Sequence, residues 1–375
     1  MGTCQLCGRK AVTISDVIGV CADCLRDKPT EATEVALAIH RRWRSKIGLP
    51  PDPPRDPRGK KCRLCVNECS IPEGGVGYCG VVENRGGTLL LATGDWRVAV
   101  GSWYYDPHPT NCVSMHFCPG ATCRGFPEYT EVCGPERGMY NLAVFYGACG
   151  LDCVFCQNWE HKYMSVRRDS LMPLDGLVSA GKSRKVTCVC YFGGDPAPFS
   201  AHAIAASKEL AKEARDSERK FRVCWETNGI VNPKILDTWM DLSLSTGGNV
   251  KIDFKAWTPS IYVALTGVDA RDRVLENLRR AASRVGERPD PPPLTVSILL
   301  VPGYVDEHEV AQIAREVARL DPRIPVVLLA FKPDHLLRDL PTTSRRHAEA
   351  AVKAAEAEGI QEVYLANVWL LGRAY

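Results

Sequence analysis

The stretch GACGLDCVFCQN places Cys149, Cys153 and Cys156 in one short loop. Thiolates are soft, strong metal ligands, and this spacing lets three of them face one point. A closed tetrahedral zinc site or a fully ligated 4Fe–4S cube takes four protein ligands. Three thiolates on such a cube leave one iron open, and an open metal position is where a substrate or cofactor binds. A small molecule carrying an amine and a carboxylate would chelate it. The competing reading is a zinc site completed by Cys188 or Cys190.

The chain is 375 residues long with 18 cysteines, and the clustered pairs point to metal rather than disulfides. Cys4, Cys7, Cys21 and Cys24 form two CxxC knuckles around a strand-like AVTISDVIGV, the pattern of a zinc ribbon. Metal would supply much of such a small unit's folding free energy. Thr30 is a candidate cap for the helix that follows, and its basic end, His40 to Arg44, reads as a solvated last turn rather than a docking face. Cys62, Cys65, Cys69 and Cys79 make a second four-thiol set, open to zinc or iron–sulfur. Cys112, Cys118, Cys123 and Cys133 make a third, irregular group, either an auxiliary cluster or buried free thiols.

The elements that must position this chemistry start near residue 141. The apolar runs LAVFY, VTCVCYF, FRVCWE, VKIDF, LTVSILLV, VVLLAF and EVYLA alternate with amphipathic helical stretches. Strands buried on both faces, each followed by a helix, predict an α/β fold, a partial or full parallel (β/α) barrel. Small cysteine-rich metal-binding modules precede it. The expected division is a zinc-ribbon-like module with helix over 1–45, a Pro-rich linker over 46–61, a cysteine-rich region over 62–140 and the barrel over 141–375. In such barrels function gathers at the C-terminal ends of the strands. There the sequence carries the cysteine loop, then Gly193–Gly194–Asp195, then Glu226–Thr227–Asn228, then Asp253 and Lys255, then Val301. Glu226 and Asp253 are also candidates for a purely structural ion network with Lys251 and Lys255. Cys188, Cys190 and Cys224 read as core, and the tail NVWLLGRAY as a docked terminus without function.

Composition narrows the partners. A net charge of +3 is too small to argue for nucleic acid or an acidic membrane, and no apolar run spans a bilayer. The start MGTCQLCGRK has no apolar signal core, so a cytoplasmic location is expected.

The ordered set KCRLC…C…GYCGV, CGLDCVFCQN, GGDP, ETNG, KIDFKAW, TG, LLVPG and PDH resembles the radical SAM superfamily. Within it, the chain is similar to the AmmeMemoRadiSam and pyruvate formate-lyase activating enzyme-like group, over roughly residues 62–375. The resemblance implies a 4Fe–4S cluster on Cys149, Cys153 and Cys156, with S-adenosylmethionine chelating the open iron. Reductive cleavage would give a 5′-deoxyadenosyl radical that abstracts hydrogen from a substrate. Phe155 and Val301 would border the adenine, and Asn158 would join the cofactor site. Gly193, Gly194 and Asp195 would hold the methionine amine, Lys255 its carboxylate, and Asn228 a ribose hydroxyl. Thr227 and Asp253, with Glu226, would bind a monovalent cation. Asp195 departs from the Glu usual in the family, and Lys332 replaces a frequent histidine.

The resemblance leaves several reactions open. The first is modification of a protein or peptide residue, with a ferredoxin- or flavodoxin-like electron donor. The others are a glycyl-radical-enzyme activase, a cobalamin-dependent methyltransferase and a non-catalytic metal-binding scaffold. No DxHxxG cobalamin signature is present.

Overall fold

All seven apolar runs form strands of one nine-stranded sheet. In this computed structural model, which describes residues 1–110 and 112–375, the strands are β1 (Val98–Pro107), β2 (Tyr140–Tyr146), β3 (Leu171–Pro173), β4 (Val186–Gly193), β5 (Arg222–Thr227), β6 (Val250–Asp253), β7 (Leu294–Leu300), β8 (Val326–Ala330) and β9 (Val363–Ala366). Their order across the sheet is β9-β8-β7-β6-β5-β4-β2-β1-β3. Every pairing from β2 to β9 is parallel, while β1 runs antiparallel to β2 and β3 antiparallel to β1. The sheet is therefore a partial barrel, extended at one edge by an antiparallel pair that the sequence placed only loosely around Trp96 to Trp103.

The helices are α1 (Ala22–Asp27), α2 (Pro29–Lys46), α3 (His161–Arg167), α4 (Leu174–Gly181), α5 (Ser200–Asp216), α6 (Pro233–Thr246), α7 (Pro259–Thr266), α8 (Arg271–Ala282), α9 (Glu307–Leu320) and α10 (Arg345–Ala357). Their starts follow local chemistry. Asn232 caps α6 by accepting from the Lys234 amide, and Asp306 caps α9 by accepting from that of Glu309. Thr30 does not cap α2, which begins one residue earlier with Pro29 in its first turn. The stretch AVTISDVIGV is mostly turns, with a two-residue strand at Lys10–Ala11.

The N-terminal unit shares the barrel's core. One apolar cluster runs from Cys4, Ile18 and Ala36 to Val296, Leu328 and Ile360. Tyr304 Oη donates to the Val20 carbonyl at 2.8 Å, and Arg26 reaches Asp306 at 2.9 Å. Gly303 of LLVPG has φ +77°, and a Cβ there would stand 2.2 Å from the Thr13 carbonyl oxygen. That glycine serves the docking of the N-terminal unit. The basic end of α2 is solvated only in part: Arg42 is exposed, but His40 and Arg44 are each 1% exposed. The reading of that turn as a solvent-facing end is corrected, because both side chains find partners on the barrel. Among the described residues no helix is long and apolar enough to cross a membrane.

Candidate active site

The loop after β2 carries Cys149, Cys153 and Cys156, and its backbone is held from several sides. The Asp152 and Val154 amides donate to the carbonyls of Thr266 (2.8 Å) and Leu265 (3.0 Å) at the end of α7. The Leu336 amide, after the PDH motif, donates to the Val154 carbonyl at 3.0 Å. Asp152 points inward, fully buried, and meets Lys162 of α3, His40 Nδ1 at 2.9 Å and Arg44 Nη1 at 3.5 Å. Burial works against its charge, but Lys162 and the two α2 side chains outweigh it and hold the carboxyl well below the usual range. The TG and PDH motifs and α2 thus brace one loop.

The next strand end is knitted to the same loop. Gly194 donates to the Tyr146 carbonyl at 2.9 Å, and the Asp195 amide to that of Ala148 at 2.8 Å. A Cβ on Gly194 would lie 2.0 Å from the Ala148 oxygen, so only glycine allows this approach. The buried Asp195 carboxylate accepts from Ala197 N, Thr227 Oγ1 and Asn228 N, each at 2.9 Å. Burial pushes it up to about 6 against those donors. Asp195 ties the ends of β4 and β5 together. Asn228 turns its Nδ2 to Cys149 Sγ at 3.3 Å.

A line of alternating charge crosses the ends of β5 and β6. Lys251 Nζ lies 2.6 Å from Glu226 and 4.0 Å from Asp253, and Lys255 lies 3.2 Å from Asp253. Burial opposes the Asp253 charge, but the two lysines hold its carboxyl down to about 2. Where the monovalent cation is expected, at Glu226, Thr227 and Asp253, Lys251 already brings a positive charge and the Thr227 hydroxyl donates to Asp195. Lys255 also sits over the Phe155 ring, 5.7 Å from its centre.

These groups surround one cavity of about 570 Å³. Cys149, Cys153, Cys156, Phe155 and Asn158 line it, as do the residues expected at 193–195, 226–228, 253 and 255. Val301 does not; it is fully buried beyond the strand end, and Leu299 and Ser297 of β7 face the cavity instead. Sequence reasoning missed part of the lining. Met115 and His116 come from the loop before β2, and Asn367, Val368 and Trp369 from the tail read as functionless. The only available signal was that NVW follows the last strand, as the other motifs follow theirs.

The remaining cysteines separate into distinct places. Among the described residues, Cys4, Cys7, Cys21 and Cys24 are the only group whose ligand atoms all lie within 4.8 Å of one another. That convergence suits one tetrahedral ion. Cys62, Cys65, Cys69 and Cys79 line a small cavity that also touches Gly150, where a Cβ would lie 3.3 Å from Cys65 Sγ. Cys123 and Cys133 are bonded to each other as a disulfide. Their assignment as metal ligands is therefore corrected, since neither sulfur retains a thiolate to donate.

Three half-buried thiols lining one cavity, with the ammonium of Lys255 near Cys153, form a site for an anionic metal–sulfur group. Burial pushes the Cys153 thiol up to about 12 against the pull of Lys255, so the thiolate state there depends on a bound metal. A parallel partial barrel with such a site at its C-terminal rim is a frame suited to metal-cofactor chemistry. Residues 143–317 match the family model described as the Radical SAM superfamily, and the chain carries a radical SAM domain over that segment. Domains of that family imply a 4Fe–4S cluster and S-adenosylmethionine, which the three-thiol wall fits.

Among solved structures, native anSMEcpe with bound AdoMet aligns at a TM-score of 0.38 and 14% identity, covering 58% of this chain and 60% of that one. Its structure with AdoMet and Cp18Cys peptide gives 0.36 and 12%, over 57% and 60%. The chain thus spans less than two thirds of the length of those proteins. No curated protein matches it.

Proposed function

We propose that this protein uses its radical SAM domain to modify a residue of a protein or peptide. The observation that carries the reading is the shape of the site. The three thiols line a cavity of about 570 Å³ whose lip carries exposed apolar side chains, with Trp369 68%, Val368 49% and Met115 36% accessible. A large side-chain substrate entering from solvent fits such a lip.

When bound and reduced, the cluster and S-adenosylmethionine supply a 5′-deoxyadenosyl radical that abstracts hydrogen. The protein's own groups bind and orient. Cys149, Cys153 and Cys156 hold the cluster, and Lys255 offers an ammonium to a carboxylate. Phe155 offers an apolar face, and Asn228 tunes the Cys149 sulfur. The Cys62–Cys79 set beside Gly150 supports electron entry from a ferredoxin- or flavodoxin-like donor on that side. Zinc at Cys4, Cys7, Cys21 and Cys24 completes the cofactor set.

The test is anaerobic reconstitution followed by a reductant-driven assay for 5′-deoxyadenosine, with a Cys149→Ala control. Product in the parent protein only is expected, rising with a protein fraction of cell extract rather than a small-molecule fraction. Uptake of zinc with no iron at the three-cysteine loop would overturn the radical reading. Stimulation by the small-molecule fraction alone would overturn the protein substrate.

A further inference from the structure

Cys190 of β4 and Cys224 of β5 are in register on adjacent parallel strands, so their side chains share a face. The other face carries Tyr191 and Trp225, stacked at 4.6 Å, with Trp225 stacked in turn on Trp239 of α6 at 4.7 Å. Cys190 and Cys224 therefore point away from α6, to the inner side of the barrel. The loop between β1 and β2 brings Cys112 and Cys118 to the same place. These four cysteines, with Glu226 and Lys251, bound a cavity of about 30 Å³. Cys112, Glu226 and Lys251 also line the large cavity, so the two spaces share a wall.

Buried cysteines are common core residues, and Cys190 and Cys224 read that way in the sequence. Core packing closes space, however, whereas these four surround it. The charges nearby are also wrong for a neutral wall. Lys251 is 4% exposed, and Arg288 is 6% exposed. Arg288 Nη2 donates to the carbonyl of Gly248, a residue of the cavity wall, while its Nε and Nη1 have no partner among the described residues. Lys251 is answered by Glu226 and Asp253, but the two unpartnered nitrogens of the buried Arg288 are costly beside neutral thiols and are balanced by an anionic thiolate centre.

We propose that Cys112, Cys118, Cys190 and Cys224 are the ligands of an auxiliary iron–sulfur cluster set into the wall of the substrate cavity. The ligand set joins two loop cysteines to two strand cysteines and leaves Cys123 and Cys133 to each other. It places a metal centre in the barrel wall, and its Cys112 edge faces the substrate space.

The test uses the full chain, purified anaerobically, in a background with Cys149, Cys153 and Cys156 replaced by Ala. Iron and acid-labile sulfide per chain are measured with Mössbauer and electron paramagnetic resonance spectra. Adding Cys112→Ser and Cys224→Ser should remove one cluster's complement of iron and sulfide and its signal. Cys188→Ser, one pleat along the same strand, should leave both unchanged. Zinc at the N-terminal ribbon and the circular dichroism spectrum report that the fold persists. If Cys224→Ser fails to fold, Cys112→Ser alone should still change the spectrum, because it replaces one ligand from the loop. Iron content and spectra indifferent to Cys112 and Cys224 would overturn the proposal, as would loss of zinc instead of iron.

Discussion

The side-chain amide of Asn228 donates to the sulfur of Cys149 across 3.3 Å, linking the end of β5 to the loop after β2. Asn228 is itself held, its Oδ1 accepting from Ile230 N and its backbone amide donating to Asp195. A donor aimed at a ligand sulfur stabilises the more negative, reduced state of a cluster. Asn228→Ala should lower the reduction potential of the cluster on that loop by on the order of 50 mV, the value of one modest hydrogen bond for a one-electron couple. A spectroscopic redox titration checks this, and an unchanged potential would count against the contact.

Asp152 answers three buried basic side chains at once. Asp152→Asn keeps the shape and removes the charge, leaving Lys162 and Arg44 without a counter-ion in the core. The expected loss is about 3–5 kcal/mol of stability, with poorer cluster loading because the same loop carries the cysteines. Denaturant titration with iron analysis measures both. A loss within error of zero would mean that solvent reaches the site.

Lys251 stands between Glu226 and Asp253. Lys251→Met should leave two carboxylates at the cavity wall without their shared cation. S-Adenosylmethionine affinity is then expected to fall on the order of tenfold in choline chloride and to recover in potassium chloride. Calorimetry in the two salts separates this from general screening, and equal affinity in both would remove the lysine's role as resident cation.

Two buried histidines set an acid limit. Burial holds His202 down to about 4, and burial together with Arg222 holds His108 down to about 4. A histidine with a lowered folded-state value favours the fold when neutral. Its contribution is whole above the ordinary value of 6.5 and is lost as pH falls from there to about 4. Each should remove about 1.4 kcal/mol per pH unit across that window. Denaturation midpoints measured at steps between these limits should fall, and His202→Gln should flatten the slope.

The sequence alone determined the parallel α/β core and the rim chemistry. Runs such as VTCVCYF and LTVSILLV are apolar on both faces, which only a doubly covered strand tolerates, and polar or glycine residues follow each run. The position of GGDP, ETNG and KIDFK after those runs was enough to gather their residues at one cavity. Local spacing also sufficed for Cys4, Cys7, Cys21 and Cys24, because two tight knuckles define their own tetrahedron.

Tertiary structure decided what each side chain does there, because contacts between distant segments leave no periodic trace. His40 and Arg44 looked like a solvated helix end until Asp152, more than a hundred residues on, was folded beneath them. The ion network of Glu226 and Asp253 with Lys251 and Lys255 was one of two sequence readings, and only the meeting of the strand ends brought it together. Cys112 and Cys118 had nearer neighbours in Cys123 and Cys133, yet the chain pairs those two together and turns the others to Cys190 and Cys224. Which sulfurs meet is set by strand register and by a loop crossing the barrel, and neither is written in the spacing of the cysteines themselves.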